Sequence, residues 1–185
     1  VDYCLLLNIQ EKGVHMSELA GSETLENLKE AFAGESQANR KYLAFAKQAD
    51  DEGFAQVAKL FRAAAEAETV HAHAHLRAME GIGSTEENLR EAVGGETHEF
   101  ENMYPGMITT ANEEGFKKAQ RSFNFANQVE QIHARLYQKA LDSLGQDVEP
   151  VDYYVCPVCG NTVEDAPTDP CPICGTPANR FFKVD

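Results

Sequence analysis

Two Glu-x-x-His pairs, Glu68/His71 and Glu130/His133, and two Cys-x-x-Cys pairs, Cys156/Cys159 and Cys171/Cys174, have the types and spacing for metal chemistry. On a helix, residues three apart share a face, so each Glu-x-x-His offers a carboxylate and an imidazole side by side. Each pair is preceded by a further glutamate, Glu35 or Glu96. Two divalent ions held close together need bridging anions to offset their repulsion, and imidazole completes each ion without adding charge. Carboxylates buried without such ions cost many kcal/mol or take up protons. A single Glu-x-x-His is ordinarily a solvated, salt-bridging helix face. Two copies, each with a partner glutamate at matching height, turn that balance toward a two-metal site.

One acid breaks the symmetry. Glu99 lies three residues after Glu96, where the first copy has Gln37 or Ala38. Tyr42 and Tyr104 follow Glu35 and Glu96 by about two turns. They are candidates for hydrogen bonds to ligating carboxylates, or equally for ordinary core tyrosines. His15, His73, His75 and His98 do not fit the same layer.

The cysteines form two knuckles, Cys156-Pro-Val-Cys159-Gly160 and Cys171-Pro-Ile-Cys174-Gly175. Each glycine lets the backbone turn so that amides approach the sulfurs. Four thiolates in a tetrahedron hold zinc or a single iron. A zinc site would be a staple or docking module, an iron site a one-electron carrier, and the neighbouring two-metal candidate favours iron. Tight pairs in an otherwise cysteine-poor chain indicate a metal site in a reducing compartment rather than a disulfide scaffold. Cys4 stands apart and receives no role.

These residues are positioned by an internal repeat. Glu26–Ser36 matches Glu87–Thr97 at an offset of 61, whereas Glu52-Gly53-Phe54 and Glu68-x-x-His71-Ala72 match Glu114-Gly115-Phe116 and Glu130-x-x-His133-Ala134 at 62. One residue has therefore been gained between Glu96 and Tyr104. Each copy reads as a helical hairpin turning at Gly53 or Gly115, where a left-handed residue is cheap. The apolar spacing predicts helices near 23–51, 54–80, 86–113 and 116–144. Gly81 and Gly83 end the first copy, Ser84-x-x-Glu87 resembles a capping box, and Pro105 should kink or break the third helix. The mismatch in ligand height within a hairpin is only about 5 Å, so all four levels can meet in one layer of a four-helix bundle. The expected organisation is an extension over 1–21 (non-native up to about 15), a bundle over 22–145, a linker over 146–152, and a small, mostly irregular or β domain over 153–185.

The net charge of -14, from 30 acids and 16 bases, argues against nucleic acid as the main partner. No apolar run is long enough to span a membrane.

Taken together, Ala33-Gly34-Glu35-Ser36, the two Glu-x-x-His pairs, Gly95-Glu96-x-x-Glu99 with Met103-Tyr104-Pro105, and the two Cys-Pro-x-Cys-Gly knuckles resemble the rubrerythrins over about residues 22–185. The resemblance implies a ferritin-like di-iron domain fused to a rubredoxin-like domain. It also implies reduction of hydrogen peroxide to water in the cytoplasm of oxygen-sensitive microbes. By position, Glu68 and Glu130 would bridge the irons. Glu35 would bind the first iron, and Glu96 with His133 the second. The first iron would exchange Glu99 for His71 on reduction. An external reductase or rubredoxin, drawing ultimately on a nicotinamide, would feed the four-cysteine iron. A homodimer or higher homo-oligomer would bring one subunit's four-cysteine site to another's di-iron site. Iron handling of the ferritin type and a zinc-ribbon binding module are the competing expectations.

Overall fold

The computed structural model describes residues 19–184, so the expectations for residues 1–15, Cys4 and His15 lie outside the described residues. The chain is mostly helical, with a small C-terminal antiparallel region of three strands. It divides into two compact units, Val1–Ile82 and Gly83–Asp185. One copy of the repeat falls in each.

The first unit holds α1 (Glu23–Asp51) and α2 (Ala55–Ala78). Ser22 caps α1, its hydroxyl accepting the Leu25 amide at 3.1 Å. Alanines make the seam of the hairpin. Ala46, Ala49, Ala58, Ala65 and Ala72 are all buried, and their small side chains let the two backbones approach. Larger apolar groups such as Leu43 and Leu60 stay partly exposed, because two helices alone cannot enclose them. Inside the hairpin the Asn39 amide donates to the Ala65 carbonyl at 2.7 Å and to the Thr69 hydroxyl at 2.8 Å.

Both hairpin turns use one device. The Phe54 amide donates to the Ala49 carbonyl and the Gly53 amide to Asp50. Phe116 and Gly115 repeat this with Ala111 and Asn112. Gly53 and Gly115 are left-handed, at φ 84° and 79°. This is the Schellman closure that the glycine positions predicted. The end of α2 differs from the expectation. The left-handed residue there is Glu80, at φ 56°. Gly81 takes the next place, because a Cβ on it would meet Leu76 Cδ1 at 2.6 Å.

The second unit starts with the expected capping box: the Ser84 hydroxyl accepts the Glu87 amide and the Glu87 carboxylate accepts the Ser84 amide. α3 (Thr85–His98) then passes through a π turn (Glu99–Met103) into α4 (Tyr104–Glu113). The Tyr104 amide donates to the Glu99 carbonyl, five residues back. One inserted residue widens a helix in this way. The insertion inferred from the repeat offset is this turn. Pro105 neither breaks the helix nor leaves a free carbonyl gap of its own. It falls in the first turn of α4, directly after the widened segment, where a missing N–H is best tolerated.

α5 (Lys117–Asp142) packs against α3 and α4. The strands β1 (Tyr153–Val155), β2 (Thr162–Glu164) and β3 (Phe182–Val184) form an antiparallel sheet with β1 central. β2 lies against α5, where Lys139 Nζ meets both Glu164 carboxylate oxygens at 2.6 and 2.7 Å.

A non-glycine residue in the left-handed region carries a steric cost that glycine avoids. Glu80→Gly is therefore expected to raise stability by about 0.5 kcal/mol after the entropy lost by glycine is subtracted. Urea unfolding with an unchanged m-value would show it; a fall in midpoint would contradict the strain.

Candidate metal centres

Each hairpin gathers one group of three ligands. In the first unit, Glu35, Glu68 and His71 offer ligand atoms within 4.8 Å of one another. His71 Nδ1 lies 3.0 Å from Glu68 Oε2 and 3.9 Å from Glu35 Oε1. In the second, Glu96, Glu130 and His133 do the same, with His133 Nδ1 at 2.9 Å from Glu130 and 3.7 Å from Glu96. The repeat seen in sequence is thus a repeat of ligand geometry. The cause is local: Glu-x-x-His places two ligands on one helical face, and the antiparallel partner brings a glutamate to the same height.

The electrostatics of the second group describe an acid pair short of a cation. Burial pushes the Glu96 carboxyl up to about 7, and the negative charge of Glu130 adds to this while His133 opposes it. Burial also raises Glu130, against the hydrogen bond it makes with Glu96. The pair retains a proton where a divalent ion would neutralise both, so two carboxylates and an imidazole fit a hard or borderline metal such as iron. Tyr104 faces the same field: burial first, then the charges of Glu99, Glu130 and Glu96, hold its phenol in the protonated form.

The remaining sequence candidates are placed differently. Glu99 sits in the π turn, and its charge acts on Glu96, Glu130 and Tyr104, but its carboxylate is outside the 4.8 Å group. Tyr42 is held by ring packing with Phe45 and Phe61 rather than by a carboxylate.

The four cysteines converge as expected. Cys156 and Cys174 sulfurs are 3.6 Å apart, and Cys159 and Cys171 3.5 Å. Sulfurs about 2.3 Å from a central ion form a tetrahedron with edges of about 3.8 Å, so the cage fits a metal. Gly160 and Gly175 turn the knuckles at φ 83° and 76°. Burial pushes the Cys159 thiol up, with the Asn161 amide opposing it. Burial also acts to raise Cys174, but hydrogen bonds from the Thr176 hydroxyl and amide, and from Cys159 and Cys156, bring it down to about 6. Asn161, fully buried, points its amide at Cys171 Sγ at 3.7 Å.

Thr162 was not singled out from the sequence, yet its hydroxyl lies 2.9 Å from His133 Nε2. No local pattern signals this, because the contact joins residues 29 apart. The only hint is that Thr162 follows the first knuckle.

Glu96 yields a pH test. Its folded-state value, about 7, exceeds the ordinary 4.5, so ionisation is penalised in the folded protein. The penalty is absent below pH 4.5, grows between 4.5 and 7, and is complete above that range. Metal-free Glu96→Gln lacks it. The stability of this variant relative to the parent should rise across that window in thermal unfolding, and saturating divalent metal should reverse the order. A gap independent of pH would contradict the assignment.

The family model described as Rubrerythrin matches residues 26–141, and the one described as Rubrerythrin, rubredoxin-like domain matches residues 154–182. Among curated relatives, Rubrerythrin-2 of Clostridium acetobutylicum is 36% identical over 77% of this chain and 86% of its own. Nigerythrin of Nitratidesulfovibrio vulgaris is 38% identical over 78% of each. A solved structure described as the partially reduced state of nigerythrin superposes with a TM-score of 0.54 at 34% identity, covering 92% of this chain and 91% of that one. With both metal-binding patterns and most of its length accounted for, this chain belongs to the rubrerythrin family.

Proposed function

We propose that this oxidoreductase is a non-haem di-iron peroxidase. It reduces hydrogen peroxide to two waters with two electrons and two protons, and the electrons pass through the four-cysteine iron. The reading is supported above all by one arrangement: an imidazole of a carboxylate group is hydrogen-bonded to the segment that follows the first cysteine knuckle. A storage protein has no use for a one-electron carrier joined to a ligand of its carboxylate site, and a purely structural zinc ribbon has none for the carboxylates.

Each hairpin supplies two carboxylates and one imidazole, enough for one ion. In this proposal Glu35, Glu68 and His71 of one group and Glu96, Glu130 and His133 of the other, with Glu99, are the residues that would hold the two irons. Held there, iron would supply the electrons and the Lewis acidity for cleaving the O–O bond. The protein's own groups manage charge and protons. The Glu96–Glu130 pair holds a proton close to neutral pH, and the Tyr104 phenol remains a neutral donor facing the same carboxylates. An external reductase or rubredoxin, a homodimeric or larger assembly, and a cytoplasmic setting complete the proposal. Among the described residues no helix is long and apolar enough to cross a membrane.

Anaerobic stopped-flow on the reduced, iron-loaded protein tests it. The red colour of the oxidised four-cysteine iron should return rapidly with peroxide and slowly with oxygen; equal rates would favour iron handling instead. Glu68→Ala should lower peroxide turnover by at least about 100-fold, since a bridging ligand is lost, while the red chromophore stays intact.

A further inference from the structure

Asn161 is the one polar side chain that is fully buried among the described residues, at 1% exposure. Its Oδ1 is buried without a hydrogen-bond partner. Such an orphaned oxygen costs free energy, and a leucine of similar volume would avoid it. Nδ2 points at Cys171 Sγ, 3.7 Å away. The sense of the amide follows from charge: a metal-bound thiolate only accepts, so the N–H end faces it and the oxygen is left over. Cys171 is itself 3% exposed, so bulk water does not replace this donor.

The place of Asn161 in the chain explains its reach. Asn161 and Thr176 hold the same position in their knuckles, two residues after the second cysteine. Each carbonyl accepts from the amide of the first cysteine, Cys156 at 2.9 Å and Cys171 at 2.8 Å. The side chains then part. The Thr176 hydroxyl stays in its own knuckle, 3.1 Å from Cys174 Sγ. Asn161 crosses to the other knuckle, while its backbone amide hydrogen-bonds Cys159. One residue thus contacts three of the four cysteines. Among the described residues, its side chain is the only one other than cysteine that bonds a sulfur of the opposite knuckle.

We infer that Asn161 sets the reduction potential of the four-cysteine iron: its carboxamide donates to the Cys171 sulfur and favours the ferrous state. Reduction adds one electron and neither makes nor breaks a bond, so the ferrous cage carries one more negative charge than the ferric cage. A hydrogen bond to a sulfur stabilises the more negative form more and raises the potential. The orphaned Oδ1 is the stability given up for that setting. A higher potential eases entry of an electron from outside and weakens the drive for its onward transfer. Asn161 acts through a ligand and touches no substrate, so it is a positioning residue. The inference rests on iron in the cage and not on the peroxidase reading.

The test uses the full chain. In the iron-loaded protein, Asn161→Leu should shift the ferric–ferrous equilibrium about 10-fold toward ferric, a fall of about 59 mV for one electron, read by redox titration of the red absorbance. A residue that only fills space would leave the potential unmoved, and an unmoved or raised potential would overturn the inference. A second measurement needs no variant and decides the matter even where Asn161→Leu fails to hold iron. In the parent chain, labelled with nitrogen-15 and loaded with zinc, the Asn161 side-chain amide protons should show through-space transfer to the Cys171 β-protons. They should also exchange with water at least about 10-fold more slowly than the exposed asparagine amides. An amide turned away from Cys171, or in fast exchange, would equally overturn it. None of these readouts uses peroxide turnover, so the inference and the peroxidase reading fail separately.

Discussion

Carboxylates brought together out of water repel one another and resist ionisation, and everything else in this protein accommodates that cost. Glu96 and Glu130 show it directly, both raised by burial and both under the influence of Glu99. A protein does not assemble such a group for stability, because a well-packed apolar layer would be at least as favourable. The group is stable when a cation replaces the missing charge. Long helices suit the task. They satisfy their own backbone hydrogen bonds and leave side chains free to converge, and the alanine seam of the first hairpin draws its two backbones close enough for Glu35 to reach the level of Glu68 and His71.

The repeat began as two equivalent hairpins, and two departures make them unequal. The first is a single inserted residue. A helix absorbs it as a π turn at Glu99–Met103, which brings Glu99 into the field of Tyr104, Glu96 and Glu130 and lets Pro105 enter α4 at its first turn. The second is the hydrogen bond between Thr162 and His133, which has no counterpart at His71 among the described residues.

The four-cysteine cage obeys different physics. Its sulfurs are positioned by two glycine knuckles, and its thiols are split: burial holds Cys159 protonated, while hydrogen bonds from Thr176, Cys159 and Cys156 favour the Cys174 thiolate. A soft ion removes that inequality by taking all four as thiolates. β2 against α5 then places a rigid, hydrogen-bonded segment between the cage and His133, with Asn161 buried beneath it.

Much of this was legible from the chain alone, for reasons of short range. A helix puts i and i+3 on one face, a glycine takes φ near +80° after a helix end, and an inserted residue has to widen a helix somewhere. Both Glu-x-x-His pairs, the turns at Gly53 and Gly115, the capping box at Ser84 and the region of the π turn therefore follow from spacing. The end of α2 did not follow, because the choice between Glu80 and Gly81 depends on where Leu76 lies. Nor did Tyr42 and Tyr104 separate: both pack against phenylalanine rings, and only Tyr104 also lies in the field of Glu99, Glu130 and Glu96. The His133–Thr162 contact is the clearest case of what tertiary structure alone decides. It spans two elements that no periodicity relates, and only the packing of β2 on α5 brings the Thr162 hydroxyl to Nε2 of His133.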